Sequence, residues 1–376
     1  MAMSTKSFPK THRALVLHST RDPYDISVVV QETPRAGSGN AIIRVLSAGV
    51  LTYADRVYSG RKPYPYPEPF VIGSGAVGRV AAVGPDATSM KLNQLVFFDC
   101  FIQGRDDPQS LILHGLSSGF NPASNHLMEV EWRDGTYAEF SKVPLENCFP
   151  LNEARLLNNP DKGGLGYTPI DLVYLLTISI PFGGLRDIDI KSGEKVIISP
   201  ASGTFGSAAV LAALAMGALV IAVGRDQETL DKVKTLNPER VRTVLNTGDV
   251  ENDVKELTKD GPLDAFLDIS PGKAIKSTHF KSCILSLRRG GRVSLMGAHQ
   301  ELTLPTQFIM LNDITVKGKW MYTKDDIRTM IKLLEADYLD FSAVETVGAF
   351  RLEDFKEAFD MASKMSGPFL QTVMLP

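Results

Sequence analysis

Apolar residues are laid along this chain in two textures. In the first, short runs rich in Val, Ile and Leu alternate with turn formers. RALVLHS (13–19), ISVVVQE (26–32), AIIRVLSAG (41–49), RVAAVGPDA (79–87), QLVFFDCFI (94–102) and GTYAEFSKVP (135–144) are such runs, with stretches like PRAGSGN (34–40) between them. This pattern predicts strands and a β-barrel-like first domain. Near residue 165 the texture changes. SGEKVIISP (192–200) reads as a compact strand, SGTFGSAAVLAALAMG (202–217) as an Ala- and Leu-rich helix, and ALVIAVG (218–224) as a strand again. DQETLDKVKTL (226–236) has the spacing of an amphipathic helix with a charged outer face. RTVLN, LDAFLDIS, GRVSLMGA and DITVKGK are further strands, most of them separated by helical stretches. Alternating strand and helix predicts an α/β domain whose parallel sheet is covered on both faces. LEDFKEAFDMASKM (352–365) is a last amphipathic helix and PFLQTVMLP (368–376) a last strand, expected to return to the first domain and make it discontinuous.

Composition narrows the class. The chain has 376 residues, 44% of them hydrophobic, enough for two cores. Its longest apolar run, Ala208–Val223, is split by Gly217 and is shorter than the roughly 20 residues a membrane helix needs. The start, MAMSTKSFPKTHRALV, carries no apolar signal core. With a net charge of -3 and no basic block, the footprint of a nucleic-acid binder is missing. Cys100, Cys148 and Cys283 are scattered and odd in number, as expected of reduced thiols in a cytoplasmic protein.

Two glycine motifs compete for a dinucleotide. VIGSGAVGRVAAVGPD (71–86) carries a full G-x-G-x-x-G at Gly73, Gly75 and Gly78; a degenerate copy, with Ala201 replacing the first glycine, lies in ISPASGTFG (198–206). Phosphate binding needs a strand, a tight turn and a helix whose free N–H groups face the anion. After Gly78 only Arg79–Val83 precede Gly84-Pro85, and proline stops the element, so these glycines read as turns and bends between strands. The later copy has the strand EKVIIS before it, and a helix Ser207–Met216 and a strand Leu219–Val223 are expected after it. Ser202, Gly203, Thr204, Phe205 and Gly206 are therefore the expected phosphate turn. The second strand ends in VGRDQ. Gly224 stands where an acidic residue would bind the ribose hydroxyls of NAD, and Arg225 suits a 2′-phosphate. NADPH is the expected cofactor, ahead of NADH. Asp226 either repels that phosphate or points to solvent, and Arg225 read as an ordinary surface residue is the alternative.

With these features in place, nearly the whole chain resembles the medium-chain dehydrogenase/reductase superfamily. The resemblance rests on RVLSAGVLTYADR (44–56), PFVIGSGAVGRVAAVG (69–84), RDGTYAEFSKVP (133–144), the Ala201–Gly206 turn, GRVSLMGA (291–298) and FKEAFDMA (355–362). It implies a GroES-like β-barrel catalytic domain, residues 1–165 and 337–376, and a Rossmann doubly wound parallel-sheet domain, residues 166–336. It also implies an active site in the cleft between them, hydride transfer from a nicotinamide, and homodimers or tetramers. Zinc-dependent members carry a cysteine just after the AG of the first motif and His-Glu directly after the glycine matching Gly73. Here Leu51 or Thr52 and Ser74-Gly75 stand at those places, and none is a usual zinc donor. A structural zinc lobe would need four cysteines near residues 100–130, where only Cys100 stands. Both zinc sites are expected to be absent, which makes the chain similar to the quinone oxidoreductase and enoyl reductase-like branch. His114 and His126 read as structural or surface residues.

Without a Lewis acid, polarising a simple ketone is harder. Conjugate reduction is easier: hydride adds to the β-carbon, a donor stabilises the enolate oxygen, and an acid protonates the α-carbon. The expected activity is NADPH-dependent reduction of an enone or enoyl substrate. Alternatives are carbonyl or quinone reduction with the same cofactor, or an NADPH-binding protein with a non-redox or sensing role. Counted from Gly49, Tyr53 falls where zinc enzymes place a hydroxyl relay; counted back from Asp55, the place is Ala54. Tyr53 is the candidate catalytic donor, with packing in the core as the alternative. Tyr58, Tyr64 and Tyr66 either line an aromatic cleft or, with Pro63, Pro65 and Pro67, stiffen a loop. The resemblance also puts Ile269 and Ser270, and Gly297 and Ala298, beside the nicotinamide ring. The expected partners are a small apolar or conjugated substrate and further copies of the chain, with no membrane and no nucleic acid.

Overall fold

A computed structural model describes residues 8–21, 24–272, 274 and 277–376. Two compact units divide the chain. The first takes it up to Leu176, with Thr346–Met365 and Gln371–Pro376; the second takes Thr177–Glu345 and Ser366–Leu370. Among the described residues no helix is long and apolar enough to cross a membrane.

The first unit is built on strands β1 (Thr11–Ser19), β2 (Asp25–Glu32), β3 (Asn40–Val50), β4 (Phe70–Val71), β5 (Ala76–Val83), β6 (Leu95–Phe98), β7 (Phe101–Gln103), β8 (Leu111–Leu113), β9 (Phe140–Pro144) and β10 (Cys148–Pro150). β2, β1 and β4 form one sheet in that order, and β7 pairs with β8. β3 is the hub of a larger sheet, pairing antiparallel with β5 and β9, and its side chains are buried along nearly their whole run. Two expected strands are shorter in the structure. QLVFFDCFI breaks after Phe98, because the Asp99 carboxylate accepts the Phe101 N–H at 2.8 Å and turns the chain out of β6. In GTYAEFSKVP the ladder begins only at Phe140; Tyr137 instead donates its N–H to the Ile72 carbonyl, 2.9 Å away.

His114 is fully buried in this unit, edge-on to Phe98 with ring centroids 5.1 Å apart, and neither ring nitrogen has a hydrogen-bond partner among the described residues. Burial lowers its pKa to about 4. Between that value and the ordinary 6.5 the unfolded chain binds the proton and the native state does not, so stability rises with pH across the window. Acidification from pH 7 to 4 should therefore cost about 3 kcal/mol through this one group. Denaturation of wild type and His114→Leu at pH 7 and pH 4.5 checks this: the variant should lose less stability on acidification, and equal losses would remove the assignment.

The second unit holds a six-stranded parallel sheet of β11 (Lys195–Ser199), β12 (Leu219–Gly224), β13 (Val241–Leu245), β14 (Leu263–Asp268), β15 (Leu287–Leu295) and β16 (Thr315–Gly318), ordered β13-β12-β11-β14-β15-β16. This is the doubly wound order, and its direction reverses between β11 and β14. β11, β12 and β14 are buried on both faces, which explains their unbroken apolar runs. The helix after β11 spans Thr204–Ala215, three residues earlier than the sequence pattern places it, and every residue from Gly206 to Ala215 is buried. Gly203, in extended conformation, caps it, so Phe205 and Gly206 lie in its first turn. Strands β17 (Glu345–Arg351) and β18 (Leu370–Leu375) follow; β18 pairs antiparallel with β3, and β17 lies beside it.

Candidate functional site

In the second unit, the turn after β11 is shaped by two glycines in different ways. A Cβ at Gly206 would meet the Pro200 carbonyl oxygen at 1.9 Å, so only glycine lets the first helical turn sit this close to the end of the strand. A Cβ at Gly203 would meet nothing within 4 Å; it would stand in the open space above the helix N-terminus. A close strand–helix junction beneath an open, N–H-lined mouth is the form that a pyrophosphate requires, so these residues fit a dinucleotide. Ala201 is buried and donates its N–H to Val223 at 2.8 Å, tying the turn to β12. At the end of β12, a Cβ on Gly224 would lie 3.0 Å from Leu230 and 3.4 Å from the Ser202 hydroxyl. A carboxylate side chain would be crowded there. Arg225 is exposed, and no acceptor engages it among the described residues. Asp226 is exposed beside the turn. It caps the helix Gln227–Lys234, accepting from the Thr229 N–H at 2.8 Å and from the Thr229 hydroxyl, and these bonds hold its pKa below the usual carboxylate value.

The segments after β14 and β15 run side by side at the carboxyl edge of the sheet. Ile269 donates its N–H to Ser199, Met296 to Asp268 and Ala298 to Ser270, at 3.1, 2.9 and 2.8 Å. Ile269, Ser270, Gly297 and Ala298 are thus gathered in one place. The same edge holds a group that the sequence did not reveal. Asp268, His279 and His299 converge there, with His279 in the first turn of the helix His279–Leu285. Their separation along the chain hides them; the only signal was that His299 directly follows the LMGA stretch.

In the first unit, Tyr53 is half-buried at the entry of the short helix Ala54–Tyr58. Its ring lies edge-on to Tyr64 at 6.4 Å, and the Lys62 ammonium sits 4.0 Å over it. Burial, with the Tyr64 phenol adding to it, pushes the Tyr53 pKa well above the ordinary tyrosine value. Tyr58 and Tyr66 belong to the packing. The Tyr58 hydroxyl donates to the Gly115 carbonyl at 3.0 Å and accepts from the Gly73 N–H, while Tyr66 donates to Val57 and stacks on Phe70. His126 is exposed on the helix Pro122–Val130.

The Gly73–Gly78 motif lies in the strand region of the first unit. Gly73 has φ +99, and a Cβ at Gly78 would strike the Arg44 carbonyl at 2.6 Å, across the β3–β5 pairing. Ser74 is buried, with its carbonyl accepting from the Thr136 hydroxyl at 2.7 Å. Beside it, a Cβ on Gly75 would lie 2.7 Å from Leu176 and 3.0 Å from the Phe98 carbonyl, so the place of the zinc enzymes' acidic residue is closed. Among the described residues of this unit no three His, Cys, Asp or Glu side chains converge as a ligand set. The residues at these positions do not fit a zinc ion.

Residues 37–153 match the family model of the alcohol dehydrogenase GroES-like domain, and residues 205–336 that of the zinc-binding dehydrogenase. Sorbitol dehydrogenase of Bacillus subtilis (strain 168) is 22% identical over 378 residues, covering 99% of each chain. Acryloyl-coenzyme A reductase of Sulfurisphaera tokodaii is 25% identical over 356 residues, covering 93% of this chain and 96% of that one. Among solved structures, an alcohol dehydrogenase from E. coli CFT073 complexed with NADH aligns at a TM-score of 0.76 with 16% identity, covering 98% of this chain and all of that one. A protein from Sinorhizobium meliloti 1021 bound to NADP aligns at 0.74 with 18% identity, with the same coverage.

Proposed function

The chain belongs to the medium-chain dehydrogenase/reductase superfamily, and from that premise we propose that it is an NADPH-dependent, zinc-independent reductase of activated carbon–carbon double bonds. The observation that carries this reading is the closed position at Gly75, beside the buried Ser74. An enzyme with no Lewis acid beside its substrate is best matched to a substrate whose carbonyl is already conjugated. The acryloyl-coenzyme A reductases among its relatives reduce such a compound by name, which supports the choice of a small, apolar or conjugated substrate. Bound nicotinamide supplies the hydride. The chain's own residues do the rest. The turn at Ser202–Gly206 and the helix behind it hold the pyrophosphate. Ile269, Ser270, Gly297 and Ala298 offer backbone groups to the nicotinamide. The Tyr53 phenol donates a hydrogen bond to the substrate oxygen as charge develops on it.

Loss of NADPH absorbance at 340 nm with an α,β-unsaturated ketone or thioester tests the reading. Turnover should exceed that with the saturated ketone by at least tenfold. Equal or faster turnover of the ketone would favour the carbonyl reductase reading, to which the alcohol dehydrogenases among the relatives lend weight. Tight NADPH binding with no turnover of either would favour a non-redox role. Arg225 decides the cofactor. Arg225→Ala should weaken NADPH about 30- to 100-fold through the lost charge-assisted contacts to the 2′-phosphate, and leave NADH within about twofold. Titration of both cofactors by fluorescence checks this, and equal losses would remove the assignment.

A further inference from the structure

We infer that Asp268, His279 and His299 form a binding site for one divalent transition-metal ion of the zinc type, at the carboxyl edge of the second unit's sheet. Asp268 ends β14 with no exposed surface. Its Oδ1 accepts the Ser270 hydroxyl at 2.6 Å, while its Oδ2 has no hydrogen-bond partner among the described residues. The Nε2 atoms of His279 and His299 lie 3.6 Å from Oδ1 and Oδ2 respectively. One ligand atom from each of the three residues lies within 4.8 Å of the others. The His299 side chain is only 3% exposed, yet both its ring nitrogens lack a hydrogen-bond partner among the described residues.

Each of these facts asks for the same occupant. A carboxylate at this depth calls for a positive partner, and among the described residues no lysine or arginine pairs with it. Zinc binds imidazole nitrogen and carboxylate oxygen at about 2.0–2.2 Å, which sets tetrahedral ligands roughly 3.4 Å apart. The 3.6 Å separations run to different carboxylate oxygens and the three ligand atoms lie within 4.8 Å of one another, so a bound ion would draw the side chains together. His279 already has the support of a metal-binding imidazole: its Nδ1 lies 2.7 Å from the Ser277 hydroxyl, which orients the ring and leaves Nε2 facing the cluster. The Ser270 hydroxyl, hydrogen-bonded to that Nε2 at 2.8 Å, would release it when the ion binds, and a water would take the fourth position. Gly297 keeps the place open. A Cβ there would sit 2.2 Å from Asp268 Oδ2 and 2.9 Å from the His299 ring. Two imidazoles and one carboxylate suit zinc, cobalt or ferrous iron, and not the all-oxygen preference of magnesium or calcium. The ion would tie the segment after β14 to the segment after β15. None of its ligands stands where zinc-dependent members of the superfamily hold their metal, but the site adjoins Ser270 and Gly297, which the proposed function places beside the nicotinamide.

The test uses the full chain, stripped of metal and titrated with zinc against a chromophoric chelator, with elemental analysis and the visible spectrum of the cobalt-loaded protein. His299 makes no hydrogen bond among the described residues, so His299→Gln should leave the scaffold intact, as circular dichroism would report. Wild type should bind one zinc per chain, and His299→Gln and His279→Gln should each weaken it at least about 100-fold and abolish the cobalt spectrum. If His279→Gln does not fold, His299→Gln decides alone. Wild type without stoichiometric zinc would overturn the site and leave the zinc-independent reaction standing. Stoichiometric zinc held unchanged by the variants would overturn both.

Discussion

Replacing Gly206 with alanine is expected to destabilise the second unit by about 3 kcal/mol or more, whereas Gly203→Ala is expected to cost less than about 1 kcal/mol of stability and still weaken NADPH tenfold or more. The contrast follows from where the added methyl would go. At Gly206 it meets the Pro200 carbonyl oxygen at 1.9 Å and the Ala201 Cα at 3.0 Å, all backbone, so the helix must move off the strand. At Gly203 it meets nothing, and the backbone there, with φ -92 and ψ 172, is in a region any residue adopts. The only thing it obstructs is a ligand approaching the mouth of the turn. Urea denaturation followed with NADPH titration separates the two effects. A Gly206→Ala protein within 1 kcal/mol of wild type would show that the junction is looser than described. An unchanged NADPH affinity in Gly203→Ala would remove the turn as the phosphate site.

Tyr53→Phe is expected to lower kcat by about 100- to 1000-fold, the range found when one donor to a developing oxyanion is removed, with KM changed only a few-fold. The phenol is half-buried and its pKa is pushed well above the ordinary tyrosine value, so it remains a neutral donor at every working pH. The wild-type rate should then show no loss attributable to Tyr53 below about pH 10. Steady-state kinetics of both proteins from pH 6 to 9.5 check this. A Tyr53→Phe enzyme with full kcat would return the residue to packing. A wild-type decline near pH 8 that disappears in the variant would contradict the raised pKa.

The second unit was the more legible half of the chain, and the reason is physical. β11, β12 and β14 are covered on both faces, so KVIIS, LVIAVG and LDAFLD are almost continuously apolar and sit at the spacing of a strand–helix alternation. The helix start was less legible. Ser-Gly-Thr-Phe-Gly has poor intrinsic helix propensity, and only the strand–helix packing at Gly206 draws Thr204 and Phe205 into the first turn. Side-chain hydrogen bonds were hidden in the same way. The Asp99 turn that ends β6 and the Asp226 cap became visible only with their partners, although Asp226-x-x-Thr229 has the spacing of a cap. Tyr53, Tyr58, Tyr64 and Tyr66 were alike in sequence. Tyr58 and Tyr66 are separated from the others by the carbonyls that hold their hydroxyls. Asp268, His279 and His299 come from three segments that the sheet brings together, and no local pattern announces such a meeting.

The pairing of β18 with β3 has a consequence for the order in which the protein can be made. Thr372, Val373 and Met374 fill register places opposite Val50, Gly49 and Ala48; β9 covers Asn40–Arg44 much earlier, so the Ala48–Val50 end of that edge waits unpaired for more than three hundred residues of synthesis. During that time Ala48 and Val50 belong to an open, apolar strand edge of the kind that recruits other chains. The parallel sheet of the second unit depends on no such late arrival, because β11 through β16 emerge in one block. A ribosome-stalled chain ending before Leu370 should therefore contain a protease-resistant second unit and a protease-sensitive first unit, because the strand that closes the older half, Leu370–Leu375, is translated after the whole parallel sheet.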